Sequence, residues 1–354
     1  LNNRELIVFS SYSYLGLNLR EEVLEAKKAA LTKFGSGSHA VMLLGGRTNV
    51  HVSLKDRLVE NFQGDDAILF SSGYSANMGV IDSLMGEDGM IFCDMLVHTS
   101  ILDGCRISGA DVHMFPHQDA DALDRMLGRR PAGTPALVIV DGVYSLRGAI
   151  ANLPNILEVA HKHGALLMVD EAHALGAIGP GGRGTAAHFG LNGKVDITTG
   201  GLGKGIPAYG GYVVADRELI DYLRFRSRPY VYSGGMDVAN AAAALRAMEL
   251  MESEPALMDK LNRNIAVMDQ ALVDAGIPCL RWGSPCMPVV CRNDKEAYAL
   301  SREMMRRGYY IAPITYPAVP KDQQGLRLTV TAAHEPEQIL RVVEELAEVM
   351  KSFS

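Results

Sequence analysis

The sequence is poor in cationic clusters, in long apolar runs and in paired cysteines. No stretch reaches the roughly 18 uncharged apolar residues of a membrane span, so no transmembrane helix is expected. Asp and Glu outnumber Lys and Arg by 41 to 34, a net charge of −7, with no basic cluster. That balance argues against nucleic acid and against an anionic membrane surface as partners. Cysteines number five (Cys93, Cys105, Cys279, Cys286 and Cys291). The count is odd, and there is neither a C-x-x-C pair nor a histidine at zinc-ligand spacing. They read as reduced, mostly buried thiols of a cytoplasmic protein. The opening Leu1-Asn-Asn-Arg-Glu-Leu-Ile-Val-Phe9 has a charge before its apolar run but no cleavage-site pattern, so it is not a signal peptide. Its abrupt start just before a strand is what a trimmed or excised domain would give. Internal repeats and low-complexity tracts are missing as well.

What is present is ordinary globular composition, 48% hydrophobic and 21% charged over 354 residues. That is enough for one large α/β domain and a smaller one. Leu6–Phe9 reads as a short strand. Glu21–Phe34 reads as a helix with Val23, Ala26, Ala30 and Phe34 on one face and Gly35 as its stop. Gly35-Ser-Gly-Ser38 is a turn, and Val52–Phe62 a second helix.

A repeating pattern follows. Apolar runs at Ala67–Phe70, Met90–Cys93, Val112–Phe115, Ala136–Val140, Leu166–Val169 and Tyr212–Ala215 alternate with helical segments such as Tyr74–Leu84, Ala120–Leu127 and Pro154–His163. Such alternation predicts a mainly parallel sheet with helices on both faces. Val238–Met251 is a long Ala- and Met-rich helix. The remainder, with strands Pro288–Cys291 and Gly325–Val330 and helices Lys295–Arg307 and Glu335–Lys351, predicts a separate small α+β lobe. The expected division is an N-terminal segment 1–22, a large domain 23–240 and a small C-terminal domain 241–354.

Ligands of open parallel sheets bind at the carboxyl ends of strands, so the residues there carry the functional argument. Lys204 lies in Asp196-Ile-Thr-Thr-Gly-Gly-Leu-Gly-Lys-Gly-Ile-Pro-Ala-Tyr-Gly-Gly-Tyr212, where glycines leave the backbone bare around it. A nucleotide P-loop needs Gly six residues before the lysine and Ser or Thr after it; those places hold Thr198 and Gly205. A lysine that carries a flat cofactor, or a solvated lysine on a surface loop, both fit the spacing.

Ser71-Ser-Gly-Tyr74 joins a buried strand to a helix, which makes either a good N-cap or an anion site. Asp170, at the end of an apolar run, needs a cationic partner such as a protonated ring nitrogen, and His173 follows three residues on. His98 stands among apolar neighbours, as a core histidine or as a ring that stacks on another. Arg327 sits in an apolar strand, where a carboxylate is the natural partner.

Taken together the motifs resemble one family. They are Ser71-Ser-Gly-Tyr-x-Ala-Asn77, His98-Thr-Ser-Ile-x-Asp-Gly104, Asp141-Gly-Val-Tyr-Ser145, Val169-Asp-Glu-Ala-His-x-x-Gly176, Gly182-Arg-Gly184, Leu202-Gly-Lys204, Gly210-Gly-Tyr212 and Arg327-Leu-Thr-x-Thr-Ala-Ala-His334. In order and near-matching spacing, from about Phe9 to the C-terminus, they are similar to the α-oxoamine synthases. The resemblance implies fold type I of the pyridoxal phosphate-dependent transferases, aspartate aminotransferase-like, with a large mainly parallel-sheet domain and a small α+β C-terminal domain. It implies that Lys204 holds pyridoxal 5'-phosphate covalently and that Asp170 binds its pyridinium nitrogen. His173 and Ser145 would lie near the ring hydroxyl, and His98 would stack on the ring. Ser72, Gly73 and Tyr74 would cradle the phosphate, and Arg327 would hold the carboxylate of an amino-acid substrate. It also implies a homodimer with shared sites, and that only the family's N-terminal extension is missing.

Several positions depart from the family pattern. Gly201 and Gly234 stand where phosphate-binding threonines are usual. Arg147 and Ala149 replace two acids. Tyr12 replaces an Asn that orients the substrate carboxylate, as in serine palmitoyltransferases. Met42 opens the segment usually written Arg-Leu-Leu-x-Gly, and Pro207 stands for a Gly. The implied reaction is a pyridoxal phosphate-dependent, decarboxylative condensation of an α-amino acid with an acyl thioester, on coenzyme A or a carrier protein. The alternatives are another enzyme of the same fold, an aminotransferase or side-chain lyase, and a non-catalytic partner subunit.

Overall fold

The computed structural model describes residues 5–37 and 39–352. Ser38 of the expected turn and Leu1–Arg4 of the opening segment lie outside them. The chain divides into two compact units. The larger takes Leu17–Val143 and Ala151–Ser253; the smaller takes the described residues before Leu17, Tyr144–Ile150 and those from Glu254 on.

The strands in chain order are β1 (Ile7–Val8), β2 (Asp66–Phe70), β3 (Met90–Asp94), β4 (Asp111–Phe115), β5 (Ala136–Asp141), β6 (Leu166–Asp170), β7 (Ile197–Gly203), β8 (Pro207–Ala215), β9 (Cys286–Val290), β10 (Tyr309–Tyr310), β11 (Ala312–Ile314) and β12 (Gly325–Thr329). The helices of the larger unit are α1 (Glu21–Phe34), α2 (Asn49–Phe62), α3 (Gly73–Leu84), α4 (Thr99–Ser108), α5 (Ala120–Leu127), α6 (Leu153–Lys162), α7 (Thr185–His188), α8 (Arg217–Arg226), α9 (Arg228–Val231) and α10 (Val238–Ser253). Those of the smaller unit are α11 (Ala256–Asp274), α12 (Asp294–Arg306) and α13 (Pro336–Ser352).

The larger unit is built on a seven-stranded sheet of order β2-β8-β7-β6-β5-β3-β4. From β4 to β7 the strands run parallel; β8 is antiparallel to both its neighbours. Burial on both faces explains the unbroken apolar runs Ala67–Phe70 of β2 and Ala136–Val140 of β5: every residue of the two strands is buried. Most strand and helix boundaries lie within a residue or two of the sequence expectation. The short strands β10 and β11 and the start of β8 at Pro207, ahead of Tyr212, depart from it, and β7 departs most. Ile-Thr-Thr-Gly-Gly-Leu-Gly has no apolar alternation, yet pairing with β6 and β8 makes it a central strand, and Lys204 follows its last residue.

Register fixes what the carboxyl edge presents. Asp141 on β5 pairs with Asp170 on β6, and Asp170 pairs with Thr199 on β7. Paired residues of adjacent strands point to the same face, so three polar side chains form one row.

The smaller unit holds the two-stranded pair β1-β10 and the antiparallel sheet β11-β12-β9. The N-terminal segment is sewn onto it. Thr329 N donates to Phe9 O (2.7 Å), Ala332 N donates to Tyr14 O (2.8 Å), and Phe9 stacks on His334 with ring centres 4.2 Å apart.

Candidate active site

A cavity of about 190 Å³ opens at the carboxyl edge of the large sheet. Ser72, Gly73, Tyr74, His98, Asp170, His173 and Lys204 all line it, so seven of the sequence-predicted residues are brought together. Ser145, Arg327 and Tyr12 belong to the smaller unit.

The turn into α3 forms one wall. Ser72 caps the helix: its Oγ accepts from Ser75 N (3.1 Å), and its backbone N donates to Ser75 Oγ (3.1 Å). Ala76 N donates to Ser72 O. The N–H groups of Gly73 and Tyr74, at the first helical positions, have no acceptor inside the helix. This turn nests on the backbone of β7 and β8. A Cβ on Gly73 would stand 2.8 Å from Gly201 Cα, and one on Gly211 would overlap the Ser72 carbonyl oxygen. Glycine is needed on both sides of that approach. A Cβ on Gly201 would meet only ordinary contacts, the nearest at 3.6 Å, and one on Gly234 would meet nothing within 4 Å.

Asp170 is buried and held by two donors, Ala172 N to Oδ1 (2.9 Å) and Asn77 Nδ2 to Oδ2 (2.7 Å). Its neighbour Asp141 also lines the cavity and accepts from His98 N (3.3 Å). Burial, with the charge of Asp170 beside it, pushes the Asp141 carboxyl well above the usual range. Glu171 points the other way and accepts from Thr185 N, Thr185 Oγ1 and Ala186 N. It ties the end of β6 to the start of α7, and burial raises its carboxyl to about 7.

His98 is the N-cap of α4 and is solvent-exposed in the cavity, so it is not a core residue despite its apolar sequence neighbours. Loss of water around it, together with the positive charge of Lys204, lowers its pKa against the pull of Asp170. Tyr74 meets it edge-on, ring centres 6.3 Å apart, and donates its phenol to Asp103. Lys204 is half-buried, and His173 is buried beside the cavity.

In the smaller unit Arg327 is buried on β12. Its Nε donates to Ser145 O (3.0 Å), its guanidinium lies over the Tyr12 ring (5.5 Å), and its Nη2 has no partner among the described residues. A buried guanidinium with a spare donor is built for an incoming acceptor.

The sequence alone does not mark Asn77, Ser100, Asp141 and Thr199 as site residues. Each lies inside or beside a quoted motif, yet a polar residue in a helix or strand reads as surface until packing buries it.

A mainly parallel sheet with a lysine, a buried carboxylate, an exposed imidazole and a helix start around one cavity defines a fold type I pyridoxal phosphate enzyme. Comparison with known proteins agrees. Residues 4–346 match the family model described as aminotransferase class I and II. The chain is 36% identical over 351 residues to a serine palmitoyltransferase of Sphingobacterium spiritivorum, covering 99% of this chain and 88% of that protein. It is 38% identical over 354 residues to an 8-amino-7-oxononanoate synthase of Symbiobacterium thermophilum, covering 99% and 89%. The solved serine palmitoyltransferase of Sphingomonas wittichii superposes with a TM-score of 0.95 at 33% identity, covering 99% of this chain and 88% of that one. The chain belongs to the aminotransferase class I and II family and, within it, to the α-oxoamine synthases, pyridoxal phosphate-dependent acyltransferases. Among the described residues no helix is long and apolar enough to cross a membrane.

Proposed function

We propose that this chain joins an α-amino acid to an acyl thioester with loss of the amino acid's carboxylate as CO₂, releasing an α-amino ketone and a free thiol. The observation that carries the reading is that Lys204, Asp170, His98 and the start of α3 all line one cavity.

The residues fit pyridoxal phosphate. The bare backbone at Gly73 and Gly211 leaves the Gly73 and Tyr74 N–H groups, at the positive end of a 12-residue helix, open to a phosphate. Lys204 Nζ would hold the cofactor covalently. Asp170 would pair with its ring nitrogen and keep it protonated, His98 would lie on the ring face, and His173 and Ser145 would serve the ring hydroxyl. When bound, the cofactor supplies an electron sink for charge at the amino acid's α-carbon. Lys204 Nζ, when free, would be the base for the α-proton. Arg327 would grip the amino acid's carboxylate with its spare Nη2, beside Tyr12. The chain would work as a homodimer.

The thioester sits on coenzyme A or on a carrier protein. Incubation with pyridoxal phosphate, a set of amino acids and the same acyl group on each donor tests this. Turnover with acyl-coenzyme A alone would remove the carrier-protein version. Amino-group transfer to a keto acid without thioester use would favour an aminotransferase instead.

A further inference from the structure

Asp170 and His98, the two residues assigned to the cofactor ring, are joined through one buried side chain. Asn77 on α3 donates from Nδ2 to Asp170 Oδ2 (2.7 Å) and to Ser100 Oγ (2.9 Å), and its Oδ1 accepts from Thr199 Oγ1 (2.7 Å). Ser100 Oγ in turn lies 2.7 Å from His98 Nδ1. Asn77, Ser100 and Thr199 are all essentially without solvent exposure.

Proton counting, with the backbone donor at His98 Nδ1, fixes the directions. The reverse amide orientation would set Asn77 Oδ1 against a carboxylate oxygen, so Nδ2 faces Asp170. Both Nδ2 hydrogens are then used, on Asp170 and on Ser100. Ser100 Oγ accepts from Asn77, and its single hydrogen goes to His98 Nδ1 because the backbone donor makes that nitrogen an acceptor. The Ser100 backbone N–H also points at Nδ1 (3.3 Å). A ring nitrogen that accepts from two donors carries no proton. We propose that Asn77 is a positioning residue whose amide orients the Asp170 carboxylate and, through the Ser100 hydroxyl, holds His98 as the neutral tautomer with its proton on Nε2. The inference rests on the reading of Asp170 and His98 as cofactor-ring residues. Its consequence is that the ring lying on the cofactor is an uncharged imidazole with one outward donor, Nε2–H, and that Asp170 and His98 respond together when Asn77 changes.

Nitrogen-15 resonances of the histidine ring test this on the full chain, with pyridoxal phosphate and after its removal. His98 is assigned by the loss of its signals in His98→Gln. The expected wild-type result is Nδ1 at the low-field position of a bare ring nitrogen and Nε2 at the position of a protonated one. In Ser100→Ala and in Asn77→Ala the two resonances should move towards each other as the tautomers mix. If Asn77→Ala does not fold, Asn77→Gln, whose longer side chain cannot meet the same partners, carries the test. A proton on Nδ1 in the wild type overturns the proposal, and so do ring signals unchanged in the Asn77 variant. Failure of the underlying reading shows separately, as wild-type His98 signals that do not respond to added pyridoxal phosphate.

Discussion

The α-carbon of Gly211 on β8 faces the Ser72 carbonyl so closely that a Cβ would overlap its oxygen. The turn that offers its N–H groups to an anion is therefore set by a strand far from it in sequence. Gly211→Ala should push the Ser72–Gly73 turn off the sheet. Overpacking of this kind costs about 1–3 kcal/mol. A thermal melt should show that loss, and retention of pyridoxal phosphate on a desalting column should fall with it.

Gly201 offers the opposite case. It lines the cavity, sits on a strand that tolerates a β-branched residue, and leaves room for a Cβ. Gly201→Thr should fold normally and place a hydroxyl at the cofactor's phosphate end. A hydrogen bond to a charged group contributes about 1.5–3 kcal/mol, so the dissociation constant should fall roughly tenfold or more. Weaker binding would mean that the phosphate lies elsewhere.

Arg327 should govern the amino acid and not the cofactor. Arg327→Lys keeps the charge but loses the planar fork. KM for the amino acid should rise by about tenfold or more, with cofactor affinity unchanged. Steady-state kinetics beside a cofactor titration separates the two effects.

Glu171 makes stability depend on pH. Its carboxyl titrates near 7 in the folded chain against 4.5 for the free side chain, because it is buried. Between these values the unfolded chain binds fewer protons, so this residue's contribution falls as pH rises from about 4.5 to about 7 and then levels off. Asp141, also raised by burial, acts with the same sign. Melts of wild type and Glu171→Gln across that window should show the wild type's relative stability declining by up to roughly 3 kcal/mol. A flat difference would mean that Glu171 is ionised throughout.

Much of this was legible in the sequence, for physical reasons that can be named. Strands covered on both faces are apolar along most of their length, so β2, β3, β5 and β6 are legible, and Ser72, His98 and Asp170 fall at or just beyond the strand ends where ligands bind. β7 is not, because three of its seven residues are glycines, Gly200, Gly201 and Gly203, which pack against Tyr212 and neighbouring backbone. For His98 the apolar neighbours Leu96, Val97 and Ile101 leave both a core and a ring-stacking place open in the sequence, and its place as the N-cap of α4 turns it into the cavity. Asn77, Ser100 and Thr199 come from two helices and a strand; only the tertiary packing makes them one buried network.

Mass spectrometry of the products from pyridoxal phosphate, an amino acid and an acyl thioester tests the central claim most directly. The account predicts an α-amino ketone with one carbon lost as CO₂ and one free thiol per turnover, abolished or cut by roughly 100-fold or more in Lys204→Ala. An amino group passed to a keto acid with the thioester untouched, or equal turnover in Lys204→Ala, would contradict it.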